Sequence, residues 1–163
     1  MRAPILISAC LLGMPCRYDG SSKPLPQLVP LLTRRLVVPV CPEIQGGLKV
    51  PRSPAEISEG DGESVLEGKA RVISRDGDDY TEPFLKGAVK VLQIAKELNP
   101  GLIVLKSNSP SCGLREIYDG SFTGTLKAGR GVTAVLLAQA GFQLCDENQF
   151  LKILPQILTE DNS

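Results

Sequence analysis

The sequence contains no histidine and no tryptophan. Without histidine, the commonest general base near neutral pH is missing, and so is the commonest nitrogen ligand for zinc or copper. Catalysis by a serine–histidine or cysteine–histidine pair is excluded. Acid–base chemistry must fall to carboxylates, lysine, tyrosine, cysteine or bound water. Any transition-metal site must be built from thiolate and carboxylate. Aromatic residues make up only 4% of the chain, too few to suggest stacking platforms for single-stranded nucleic acid. An excess of either charge is lacking too, since 18 basic residues balance 18 acidic ones. Proteins that bind by neutralising phosphates are normally basic, so nucleic acid is disfavoured as the main partner. No apolar run approaches the roughly 20 residues of a membrane span, and no membrane partner is expected. Ile7-Ser8-Ala9-Cys10 superficially resembles a lipoprotein cleavage site. Only Ala3 to Leu6 precedes it, with Pro4 inside, whereas a signal needs roughly 7–15 apolar residues there. The expected location is cytoplasmic.

What is present fits one globular domain over residues 1–163, with 42% hydrophobic residues and enough length to bury a core without staples. Ile5-Leu6-Ile7-Ser8, Leu36 to Val40 and Leu102 to Leu105 are short apolar runs without alternation, as expected of strands buried on both faces. Pro39 fits a central strand poorly. Phe142 to Cys145 reads as a fourth short strand. Leu28 to Leu36 suggests a short or kinked helix around Pro30. Thr81 to Leu98 is clearly amphipathic, with Thr81 a candidate cap. Further helices are expected from about Val132 to Ala140 and around Phe150, Leu151, Leu154 and Leu158. Gln45-Gly46-Gly47-Leu48 opens an expected polar loop, Ser53 to Gly68 an excursion on the surface, and Ala70 to Ser74 a short edge strand. The fold class is α/β, a mostly parallel sheet flanked by helices, Rossmann-like.

Five cysteines are many for this length, and the number is odd. A secreted disulfide framework favours an even set in a smaller chain. Cys10 follows the first strand, Cys41 ends the second and Cys112 lies in the loop after the third. In a parallel α/β sheet these positions meet at the carboxyl edge of the strands, where ligand crevices form. Free cysteine is also among the most buried residue types. That packing role suits Cys145, which continues a strand, whereas the trio sits in glycine- and proline-bearing loops. Cys16, in a turn, reads as a ligand, a sulfur-relay thiol or a loop anchor, and leans towards a structural role. Structural zinc wants four ligands, usually with C-x₂₋₄-C knuckles, and the sequence has none. Three thiolates can hold an iron–sulfur cube with one iron open to a soft substrate atom.

Around this mouth, Glu43 is a candidate general acid/base or a solvated loop side chain. Ser107, Ser109 and Ser111 can orient a substrate or simply turn the backbone. Tyr-Asp-Gly occurs at residues 18–20 and again at 118–120, most simply as tight turns. Gly129-Arg130-Gly131-Val132-Thr133, at a helix start, offers a weak anion-binding signal.

Ser8-Ala9-Cys10-Leu11-Leu12-Gly13, Cys16-Arg17-Tyr18-Asp19-Gly20, Cys41-Pro42-Glu43, Gly46-Gly47-Leu48, Pro51-Arg52 and Leu105-Lys106 occur in that order. Ser109-Pro110-Ser111-Cys112-Gly113, Ile117-Tyr118-Asp119-Gly120 and Gly129-x-Gly131-Val132-Thr133-Ala134 follow. Together they resemble the TudS-type thiouracil desulfidase family across roughly residues 4 to 145. The resemblance implies a [4Fe-4S] cluster on Cys10, Cys41 and Cys112, with one open iron to take the sulfur of a thiolated pyrimidine. Water would supply the oxygen and sulfide would leave without net redox change, a C–S hydrolase or lyase reaction. Glu43 would be the acid/base and Ser109 a hydrogen-bond partner of the substrate, with Ser107 or Ser111 able to fill that part. The expected substrate is a small base such as 2- or 4-thiouracil, and the expected state a monomer or homodimer. The competing readings are a desulfidase for a thionucleoside or thiolated RNA, and a non-catalytic metal or sulfide sensor.

Overall fold

A computed structural model of the chain describes residues 2–163. In chain order the elements are β1 (Ile5–Ser8), α1 (Val29–Leu32), β2 (Val37–Val40), α2 (Pro42–Gln45), β3 (Ala55–Ser58), α3 (Gly62–Leu66) and β4 (Arg71–Ser74). There follow α4 (Thr81–Leu98), β5 (Leu102–Leu105), β6 (Glu116–Tyr118), β7 (Leu126–Ala128), α5 (Val132–Gln139), β8 (Leu144–Asp146) and α6 (Glu147–Asp161). Four strands form a wholly parallel sheet in the order β2-β1-β5-β8, and the α/β reading of the sequence holds.

The unbroken apolar runs have a simple cause: both faces of the sheet are covered. Ile5 and Ile7 point to one side, where Leu31 of α1 and Phe150 and Leu154 of α6 pack. Leu6, Ile103 and Leu105 point to the other, against Val91 and Ala95 of α4 and Ala134 and Leu137 of α5. Burying each such side chain contributes about 1.5–3 kcal/mol. Pro39 is tolerated because β2 is an edge strand, where a missing donor need not break a ladder.

Several local expectations are corrected. Ser53 to Gly68 is not a mere surface excursion. It contains β3 and α3, pairs with β4 in a two-stranded antiparallel sheet, and sends Ile57 and Val65 into a core shared with Phe84, Ala88, Ile117 and Val132. The polar-looking stretch hides its few apolar anchors among many charges. Gln45 does not open a loop but closes the short helix α2. Thr81 is the first helical residue and Tyr80 the cap. The Thr81 hydroxyl instead accepts from the Val72 N–H at 2.9 Å, and the Asp79 carboxylate accepts from the Thr81 N–H. The β6–β7 hairpin had no counterpart in the sequence reading, because its three-residue strands are too short to show a period. No helix among the described residues is long and apolar enough to cross a membrane.

Candidate active site and metal centre

The turns at the carboxyl ends of β1, β2 and β5 carry the thiols. Cys10 lies in a tight 3₁₀ turn, Ala9–Leu12, directly after β1. Cys41 is the cap residue between β2 and α2. Cys112 ends the loop that leaves β5. All three line one cavity of about 370 Å³, together with Cys16, Glu43, Ser107, Ser109 and Ser111. Parallel strands thus bring residues remote in sequence to one edge, as the strand order requires. Cys145 is elsewhere, buried beside Phe150 in the core, which matches its reading as a packing residue.

The Glu43 helix is placed by glycine. A Cβ on Gly46 would lie 1.9 Å from the Pro83 carbonyl oxygen, and one on Gly87 1.9 Å from the Pro42 oxygen. Helices α2 and α4 therefore touch backbone to backbone, a contact only glycine permits. Glu43 emerges with its Oε2 3.6 Å from Cys41 Sγ, while its Oε1 accepts a short hydrogen bond from the Ser111 hydroxyl. Ser111 is fully buried, and its oxygen is 3.0 Å from Ser109 Oγ. Ser109 Oγ accepts the N–H groups of Ser111 and Cys112 at 3.2 and 2.8 Å. With Ser111 donating to the carboxylate, the Ser109 proton is left to donate to Ser111 or to a ligand. Ser107 is committed differently. Its hydroxyl donates to Glu147, its N–H reaches the same carboxylate at 2.8 Å, and Lys106 Nζ stands 3.3 Å away. Burial alone would raise the Glu147 carboxyl, but the Ser107 hydrogen bonds and Lys106 overcome it and hold the group below the usual glutamate range.

The anion-binding expectation at Gly129 to Thr133 is overturned. The N–H groups of Gly131, Val132 and Ala134 are taken by the carbonyls of Gly113, Pro110 and Ser111 at 2.8–3.0 Å. A Cβ on Gly131 would lie 2.4 Å from the Ser111 carbonyl carbon. The start of α5 is a clamp on the Cys112 loop.

The donor set suits a cationic group. Burial, then Glu43, pushes the Cys112 thiol up to about 12. Contact with Cys16, then burial and Glu43, pushes Cys41 strongly up. Contact with the Cys10 thiol, ahead of burial, raises Cys16 to about 11. The raised values keep these thiols protonated, and a thiolate-bound metal would supply positive charge as the protons leave. Among the described residues, no set of three or more His, Cys, Asp or Glu could hold a single metal ion. A cube makes a different demand, because each ligand binds a separate iron.

The Cys16 thiol contacts those of Cys10 and Cys41. Arg52 Nη2 reaches the Cys16 carbonyl at 3.2 Å, a contact marked in the sequence only by the Pro51-Arg52 pair. The Lys106–Glu147 pair could not be found from spacing, since its members are 41 residues apart. The twin Tyr-Asp-Gly motifs are indeed tight turns. Asp19 accepts from the Ser21 N–H and Asp119 from the Ser121 N–H, both at 2.9 Å, and each turn sets a tyrosine on the cavity wall.

The parallel α/β sheet thus carries, at its carboxyl edge, a cavity lined by thiols, a carboxylate and serines. The chain belongs to the 2-thiouracil desulfurase family, which it matches over residues 5–149. It is 47% identical over 150 residues to uncharacterized protein YbbK of Bacillus subtilis (strain 168), covering 92% of this chain and 99% of that one. Among solved structures it is similar to the [4Fe-4S]-dependent thiouracil desulfidase TudS, with 37% identity and a TM-score of 0.83. That match covers 96% of this chain and 98% of the other.

Proposed function

We propose that residues 1–163 act as one domain that replaces the sulfur of a free thiolated pyrimidine, 2- or 4-thiouracil, by oxygen. The reaction consumes water and releases hydrogen sulfide, with no net electron transfer. The observation that carries this reading is the meeting of Cys10, Cys41 and Cys112 with Glu43 and the Ser109–Ser111 pair on one cavity. Cys10, Cys41 and Cys112 would hold a [4Fe-4S] cluster, and such a cluster with an open iron supplies a Lewis acid for the substrate sulfur. Glu43 takes the proton of the attacking water at a carboxylate oxygen. Ser111 fixes that carboxylate, and Ser109 turns its remaining proton to the base. The Glu147 anchor on Ser107 holds the loop between β5 and Cys112 in place. Five free thiols among the described residues suit a reducing compartment, and we place the reaction in the cytoplasm, on a monomer or homodimer. Charge balance favours a small base over thiolated RNA.

Anaerobic iron–sulfide reconstitution followed by sulfide assay with each thiouracil tests the reading. Loaded protein should absorb broadly in the visible and release sulfide in step with uracil. A colourless protein removes the cluster, and a coloured one without sulfide release leaves the sensor reading in its place.

A further inference from the structure

The whole sequence has four Phe and three Tyr. Tyr18, Tyr80, Phe84, Tyr118 and Phe122 all line the cavity that holds the thiols. The other two, Phe142 and Phe150, pack against the main sheet. A chain poor in aromatics has gathered most of them around one cavity, and flat rings are the natural complement of a flat ligand.

Phe122 stands out among them. It is at φ +58°, a left-handed conformation that is a genuine outlier for a bulky residue. The cause lies on the neighbouring sheet. Glu56, buried on β3, accepts the Phe122 N–H at 3.1 Å and the Gly120 N–H at 2.9 Å through one oxygen. Gly120, at φ +94°, lets the loop dock so closely that a Cβ there would meet the Ile57 carbonyl oxygen at 2.7 Å. The Arg75 guanidinium sits 5.7 Å from the ring centroid and covers one face. Glycine would fit this backbone without strain, yet the position carries phenylalanine.

We propose that the Phe122 ring is the stacking platform for the heteroaromatic ring of the substrate, and that Glu56 is the positioning residue that aims it. The proposal rests on the desulfuration reading and adds how the base is gripped. Stacking a base on an aromatic ring is sequence-tolerant and strong enough to move affinity by about tenfold.

Uracil, the product, lacks sulfur and can be titrated calorimetrically into the cluster-loaded protein. Phe122→Leu should weaken uracil binding about tenfold, whereas Phe122→Trp should stay within about threefold of the parent. Phe122→Gly should weaken binding as much as Leu while leaving the melting temperature equal or higher, because glycine relieves the left-handed strain. Glu56→Ala should weaken binding when Phe122 is present and add nothing further in the Phe122→Leu background. Unchanged uracil affinity in both Leu and Gly variants overturns the platform. A full additional loss from Glu56→Ala in the Leu background overturns the positioning role. If the parent binds uracil but releases no sulfide from thiouracil, the desulfuration reading falls and the same affinity comparison still decides the platform. A parent that binds neither base overturns both.

Discussion

At the scale of single residues, Glu43 carries the most consequence. It sits within 3.6 Å of Cys41 Sγ and receives the Ser111 hydroxyl. Positioned acid–base groups contribute roughly 10²–10⁴-fold to rate. Glu43→Gln should therefore lower kcat by about 10²-fold or more while the visible absorption of the loaded protein is retained; a bleached variant would show a ligand or scaffold role. Glu147 makes a separate prediction about stability. Its carboxyl is held below the usual range by Ser107 and Lys106 against the cost of burial. A depressed folded-state pKa contributes stability above the ordinary glutamate range and loses it as pH falls through the folded value. Urea midpoints of cluster-free protein should be lower for Glu147→Gln than for the parent near pH 7, with the gap narrowing at about pH 3. Here the sequence spoke unevenly. Glu43 was visible because it follows Cys41 by two residues, but nothing in spacing revealed that Ser107 would be taken by Glu147, 40 residues away.

At the scale of elements, the site is positioned by places where backbones touch. Helices α2 and α4 interlock at Gly46 and Gly87, and α5 clamps the Cys112 loop at Gly131. Gly87→Ala forces the α2 backbone outward and should cost about 2 kcal/mol. For a chain of this size that lowers Tm by about 4–8 °C. Because Cys41 and Glu43 ride on α2, turnover should fall as well, though neither Gly46 nor Gly87 lines the cavity. Thermal melts paired with sulfide assays check this; an unshifted Tm would mean the helices can separate freely. The main-sheet strands could be read from sequence because burial on both faces writes an unbroken apolar run. The helix α4 declared its apolar face over 18 residues. The β6–β7 hairpin and β3 could not be read, because strands of three or four residues are too short to show a period. The clamp role of Gly131 was equally hidden, since a glycine before a helix looks the same whether its amides are open or taken.

At the scale of the molecule, the core does not depend on the thiols. The clusters on the two faces of the sheet are built from Ile, Leu, Val, Phe and Ala with Cys145, while Cys10 and Cys112 also line the cavity. Replacing Cys10, Cys41 and Cys112 together by serine should abolish visible absorption but leave cooperative unfolding and helical circular dichroism. A chain that failed to fold without them would instead resemble the small metal-dependent domains whose binding energy is folding energy. The parallel α/β arrangement, legible from the apolar runs, was enough to bring the trio to one edge. The cavity's remaining wall was not legible, because it comes from the two satellite sheets.

That division has a consequence. The thiols come from turns of the main sheet, while Glu56, Arg75, Tyr118 and Phe122 come from β3–β4 and β6–β7, joined where Gly120 nests against Ile57. The proposed reacting centre and the proposed stacking wall thus sit on separate pieces of chain. A graft of residues 52–80 and 116–128 between relatives should exchange preference among bases and leave the reacting centre untouched, so such proteins can diversify their diet without relearning their chemistry.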